Sequence, residues 1–186
     1  MASPVAEQLV TAEQFAETTI DAPVELVRGE VVEMTRPGMR HGVICGRVYF
    51  RIEAWAGTGN RGFAATNDTG VITERNPDTV RGPDVLFVSR DRLPGGEVPS
   101  GILPVARELA VEELSPSAVW KELLGKVSEY FASGVREVWV VDPELRTVQV
   151  FRPDSAPRTL RESDEVRSPD VLPEFHCQVA DFFAGL

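Results

Sequence analysis

Apolar residues recur along this chain with two different periods, and the changes of period divide it into elements. Over 41–56, Val43, Ile44, Val48, Ile52 and Trp55 return at three- and four-residue steps, which predicts a helix. A second stripe of Trp120, Leu123, Leu124, Val127, Tyr130 and Phe131 predicts a helix over about 118–132. Ser117 is placed to cap its start and Gly134 to end it. Between the two, Phe63–Ala65, Gly70–Thr73, Val85–Val88 and Leu109–Leu114 are short runs parted by Asn, Asp, Gly and Pro, the pattern of strands and turns. Val138–Val141 reads as a buried strand and Thr147–Phe151 as its alternating neighbour, followed by a weak strand or two and a short helix over 179–183.

Near the N-terminus, Thr11-Ala12-Glu13-Gln14 has the form of a capping box opening a helix to about Glu17. Val24–Met34 predicts a hairpin turning at Arg28-Gly29, because a glycine tolerates the positive φ of a tight turn. Strands on both sides of a long helix predict an α/β fold, a mixed central sheet flanked by helices with a hairpin at its start. With no internal repeat or Gly/Ser linker, the expected organisation is one domain over 1–186, its core at about 20–183.

Composition narrows the function classes. No apolar run approaches the ~20 residues that span a bilayer. The first residues lack the basic and apolar stretches of a secretion signal. The two cysteines, Cys45 and Cys177, lie far apart outside any CxxC spacing, so two reduced thiols in the cytoplasm are expected. A formal charge of -10 argues against a general nucleic-acid coat protein. Residues 35–82 nevertheless hold seven arginines against four acids, a local surplus of three positive charges that either faces a phosphate or is ordinary solvated surface.

Three polar residues sit where a packed core would not ask for them. Asp84 opens an apolar strand after Pro83, Glu112 lies inside the next strand, and Lys126 borders the apolar face of the following helix. An ionised carboxylate inside a strand is expensive unless it is paired or metal-bound. Lys126 is one of two lysines in a chain with seventeen arginines. Two carboxylates on adjacent strands suit Mg²⁺ or Mn²⁺, which favour oxygen ligands, and a nearby ammonium suits phosphodiester hydrolysis. Each residue also has a plainer reading. Asp84 can cap a turn, Glu112 and Glu113 point to opposite faces so that alternation leaves open which is interior, and Lys126 stands four residues after Glu122 as in a surface ion pair.

Gly82-Pro83-Asp84-Val85, the stretch 109–117 from Leu109 through Glu112 to Ser117, and the stretch 126–143 from Lys126 to Pro143 together resemble the Uma-two family of restriction-endonuclease-like proteins. The hairpin 25–34 and His41-Gly42 match the family's N-terminal pattern, so the resemblance spans about 20–183. It implies a restriction-endonuclease-like core of the PD-(D/E)XK nuclease class. It further implies that Asp84, Glu112 rather than Glu113, and Lys126 are the catalytic residues, that Asp84 and Glu112 hold the metal, and that Glu30 can join them. His41 is either a helix-start residue or part of the chemistry. In a D/E-x-K motif the lysine stands two residues after the acid, but that position is Leu114 here, so the lysine has to come from the helix.

The expected function is therefore a Mg²⁺- or Mn²⁺-dependent endonuclease acting on DNA. The alternatives are a degenerate nuclease fold used for binding or assembly, and hydrolysis of RNA or a small phosphodiester by the same centre. The resemblance leaves room for a homo-oligomer. Asp142 is expected to accept hydrogen bonds in the turn before Pro143, and Trp120 and Trp139 to anchor the core.

Overall fold

A computed structural model describes residues 9–67, 69–104, 108–115 and 119–186. The first half runs through helix α1 (Ala12–Glu17), strands β1 (Val24–Val27) and β2 (Glu30–Glu33), helix α2 (Met39–Thr58), and strands β3 (Gly62–Thr66), β4 (Val71–Glu74), β5 (Thr79–Arg81) and β6 (Val85–Ser89). The second half comprises β7 (Leu109–Glu113), helix α3 (Trp120–Ser133), strands β8 (Glu137–Asp142), β9 (Thr147–Arg152), β10 (Ser155–Arg161), β11 (Glu165–Ser168) and β12 (Leu172–Gln178), and helix α4 (Ala180–Phe183).

The central sheet has six strands in the order β10-β9-β8-β7-β6-β3. Only β7 and β8 pair in parallel, joined across one face by α3; the other neighbours are antiparallel. A parallel pair needs such a crossover, and the sheet is consequently covered on both sides. Val85 and Phe87 of β6, Leu109 and Val111 of β7, and Trp139 and Val141 of β8 pack with α2, α4 and β11–β12. Their alternating partners Leu86, Val88, Ala110, Val138 and Val140 pack with Leu123, Val127 and Tyr130 of α3. Period-two alternation thus assigns each residue of β6–β8 to one of two cores. Glu112 falls on the α3 side and Glu113 on the α2 side.

A smaller sheet, β2-β1-β5-β4, carries the hairpin, and Ala12, Leu26 and Val80 form its apolar centre. The Arg28-Gly29 turn has positive φ at both residues, 52° and 84°, as a tight hairpin turn requires. The capping box of α1 forms, with Thr11 and Gln14 each bonded to the other's backbone N–H. Gly134 ends α3 in the left-handed region, φ 102°.

Three details differ from the expectation. Strand β5 has no sequence signal because three residues, Thr79–Arg81, are too few to alternate; Val80 alone pairs with Leu26. The end of the chain holds three strands rather than one or two. Burial on α3 narrows to Leu123, Val127 and Tyr130, leaving Trp120 and Leu124 40% and 47% exposed, so Trp139 anchors the core and Trp120 does not. The cap expected at Ser117 lies outside the described residues. No described helix is long and apolar enough to cross a membrane.

Candidate active site at one end of the central sheet

Strand β6 begins where β7 ends, because the two are antiparallel. The start of α2, the interior strand β1 and the middle of α3 converge on that end of the sheet. They enclose a cleft of about 620 Å³ whose lining includes Glu25, His41, Asp84, Glu112, Glu113 and Lys126.

Asp84 is held in place on three sides. Its backbone carbonyl accepts a hydrogen bond from Thr66 (2.7 Å), its Oδ2 from the Glu113 amide (2.6 Å), and its Oδ1 lies 3.0 Å from His41 Nε2. The other ring nitrogen of His41 is 2.7 Å from Glu113 Oε2. Hydrogen bonds to Asp84, Cys45 and Glu113 favour the imidazolium and hold His41 up to about 12. Cys45, one helical turn further along α2, places its sulfur 3.5 Å from His41 Nε2, and burial pushes its thiol up to about 11.

On the α3 side, Glu112 is buried and accepts a 2.5 Å hydrogen bond from Tyr130. Lys126 Nζ lies 3.7 Å from Glu112 and 3.0 Å from Glu25. Glu25 also accepts from Arg81 (2.8 Å), and Arg81 in turn grips Glu129 (2.7 Å), so lysine and arginine are both tethered. Lys126 thus crosses to β1 and β7 instead of pairing with Glu122. Burial works against its charge, but Glu112 and Glu25 outweigh this and hold the ammonium above its usual range. Glu25 is lowered: burial opposes its charge, and Lys126 and Arg81 together overcome it. Glu112 is the exception. Burial raises it and the Asp84 charge adds to this, while Lys126 and Tyr130 offset only part, leaving it at about 7.

The residues expected from sequence separate into two groups. Asp84, Glu112 and Lys126 all line this cleft. Glu30 does not reach it. It is exposed on the edge strand β2 beside the turn, opposite Val27, and Glu25 of the interior strand β1 occupies the position facing Lys126. The signal for Glu25 is a carboxylate beside Leu26 in a strand with an apolar partner, but only the strand register sets it apart from Glu30 and Glu33. Both Glu112 and Glu113 are interior, on opposite faces, which resolves the ambiguity of alternation. The basic excess of 35–82 does not form a free patch. Arg40, Arg51, Arg61 and Arg75 pair with Glu144, Asp181, Glu174 and Glu13, and Arg81 is spent on Glu25 and Glu129.

The donor set fits a divalent cation. Five carboxylates (Glu25, Asp84, Glu112, Glu113 and Glu129) meet three cations (His41, Arg81 and Lys126), a surplus of two negative charges. Asp84 and Glu112, the pair whose mutual repulsion helps to raise Glu112, offer hard oxygen donors of the kind Mg²⁺ and Mn²⁺ prefer.

Residues 12–180 match the family model Uma2, described as "Putative restriction endonuclease", and the chain belongs to that family. Its fold is similar to that of a crystal structure from Anabaena variabilis described as "a putative nuclease belonging to DUF820", with a TM-score of 0.81 at 20% identity over 94% of this chain and 98% of that chain. At that identity the likeness is one of fold. No curated protein matches. The family is described as one of restriction endonucleases, and the likeness of fold is to a mixed α/β core.

Proposed function

We propose that the protein is a divalent-metal-dependent endonuclease that hydrolyses phosphodiester bonds of DNA, with Asp84 and Glu112 holding the metal and Lys126 completing the site. The observation that carries this reading is the meeting of Lys126, delivered from a helix, with Glu112 at 3.7 Å in the cleft that Asp84 also lines. The lysine that the strand lacks at position 114 is replaced in space rather than in sequence. A bound Mg²⁺ or Mn²⁺ ion would supply Lewis-acid activation of water and screening of the phosphate charge.

The chain's own groups have separable tasks. Lys126 presents an ammonium to the attacking water or to the charge that develops on the phosphate. Glu25, itself anchored by Arg81, keeps that ammonium from swinging to solvent. Tyr130 orients Glu112, while His41 and the Glu113 amide orient Asp84. Arg36 and Arg40 also line the cleft, where a nucleic-acid backbone would approach.

The test is cleavage of plasmid and linear DNA by the purified protein with Mg²⁺ or Mn²⁺. Asp84→Ala and Glu112→Ala should each lower cleavage by roughly 10³-fold or more while the circular-dichroism spectrum is unchanged. Absence of cleavage on every form of DNA at saturating metal would end the enzymatic reading. A stable assembly that persists in both variants would then favour the binding-module alternative.

A further inference from the structure

We infer that His41 Nε2, Cys45 Sγ and Asp84 Oδ1 form a second metal site, for a zinc-class ion. One ligand atom from each of the three side chains lies within 4.8 Å of the other two. The nuclease reading assigns hard-ion oxygen ligands to Asp84 and Glu112; it gives no role to a buried thiol one helical turn from a histidine.

The geometry is that of ligands around a small tetrahedral ion. With Zn–N and Zn–S bonds of about 2.05 and 2.3 Å, a tetrahedral angle separates N from S by about 3.6 Å and N from a carboxylate oxygen by about 3.3 Å. The observed separations are 3.5 Å for Cys45 Sγ to His41 Nε2 and 3.0 Å for His41 Nε2 to Asp84 Oδ1. Spacing of four residues on α2 puts the histidine and cysteine on one helical face. A small shift of Asp84 completes the fit.

A second observation points the same way. Metal-binding histidines ordinarily give their other ring N–H to a carboxylate, which fixes the tautomer and the ring plane. Glu113 Oε2 stands 2.7 Å from His41 Nδ1 and its side chain is only 4% exposed. The ring is therefore held with Nε2 aimed at Cys45 and Asp84. A neutral imidazole, a thiolate and a carboxylate together carry the two negative charges that a divalent ion neutralises. On binding, the thiol proton and the Nε2 proton leave to solvent. Sulfur and imidazole donors select Zn²⁺ or Co²⁺ over Mg²⁺, so the cleft holds a soft-ligand subsite beside an oxygen one, with Asp84 common to both. His41 and Asp84 line the cleft and Cys45 closes the site from the core, which leaves a fourth position toward the opening.

Co²⁺ is the probe, because thiolate ligation to it gives an intense near-ultraviolet charge-transfer band and tetrahedral geometry gives strong visible bands. The reduced, metal-free protein titrated with Co²⁺ should show both, at one ion per chain. Cys45→Ser should abolish the thiolate band, Cys177→Ser should keep it, and Glu113→Gln should weaken binding by about 10–100-fold. Absence of the thiolate band in the wild-type protein would overturn the inference without reference to any variant's folding. So would a band that survives Cys45→Ser and disappears in Cys177→Ser. Glu112→Gln separates the two sites: it should retain the cobalt band whether or not the protein proves to be a nuclease.

Discussion

Both ends of the central sheet bury carboxylates, and the two ends treat them differently. Where β6 finishes and β7 and β8 begin, Glu137 is fully buried and Glu108 is 4% exposed. Glu137 accepts from Trp139 Nε1 and Arg152 Nε, each at 2.6 Å; Glu108 accepts from the Ser89 amide and hydroxyl and faces Arg92. Among the described residues these two buried acids meet Arg152 and Arg92, the exposed Asp170 also stands 3.9 Å from Arg152, and every oxygen of the buried pair has a fixed donor. At the opposite end, five acids share three cations, and Glu112 is left at about 7. A buried glutamate in a strand is therefore no guide to function by itself. What marks the site is charge that the protein does not balance and that an ion or a substrate can.

The sharpest way to break this contrast is to mutate the balanced end. Glu137→Ala strands Arg152 and the indole N–H of Trp139, so it should cost about 3–5 kcal/mol in urea unfolding yet leave Mn²⁺ binding by the folded protein unchanged. Loss of metal affinity in that variant would mean that the two ends are not independent.

At the site end, His41→Ala leaves Asp84 and Glu113 facing each other without a cation and should cost about 2–4 kcal/mol in metal-free protein. The histidine is held at about 12, above its ordinary 6.5, so its stabilisation is complete below about pH 6.5 and is lost as the pH rises from there toward 12. The penalty should thus be larger at pH 6 than at pH 9; equal penalties would show that His41 acts through packing alone.

Glu112→Gln carries the opposite sign. The folded protein resists ionising this group until about pH 7 while the unfolded chain ionises it near 4.5, so wild-type stability falls as pH rises through that window. Metal-free Glu112→Gln should be more stable than wild type at pH 8, by about 1–3 kcal/mol, and the gap should close as pH falls from 7 toward 4.5. A variant less stable than wild type at pH 8 would show that Lys126 and Tyr130 already satisfy the anion.

The smallest effect belongs to Tyr130→Phe. Removing its hydrogen bond to Glu112 should cost about 1 kcal/mol and move the rising limb of the cleavage pH profile to higher pH. An unmoved profile would separate Tyr130 from the titration of Glu112.

Much of this was legible in the chain. The period changes located both long helices, the hairpin and the strands of β6–β8, because each of those segments buries a whole face. Asp84, Glu112 and Lys126 stood out because a carboxylate or ammonium next to an apolar stripe is energetically conspicuous. Asp142 accepts from the Glu144 and Leu145 amides (2.9 and 2.8 Å), as its place before a proline suggested. The remainder depends on register and on contacts far apart in sequence. Glu25 meets Lys126 across 101 positions and His41 meets Glu113 across 72, and no local pattern encodes either. Glu30 comes from the family resemblance, whereas only the pairing of β1 with both β2 and β5 makes β1, and Glu25 with it, interior.

The most direct measurement is a crystal of the protein soaked in Mn²⁺, with the ion located by its anomalous scattering. One manganese ion within coordination distance of both Asp84 and Glu112, with Lys126 beside it, is the result expected. Manganese that contacts neither carboxylate, or that touches Asp84 while Glu112 stays on Tyr130 and Lys126 alone, would contradict the proposed centre.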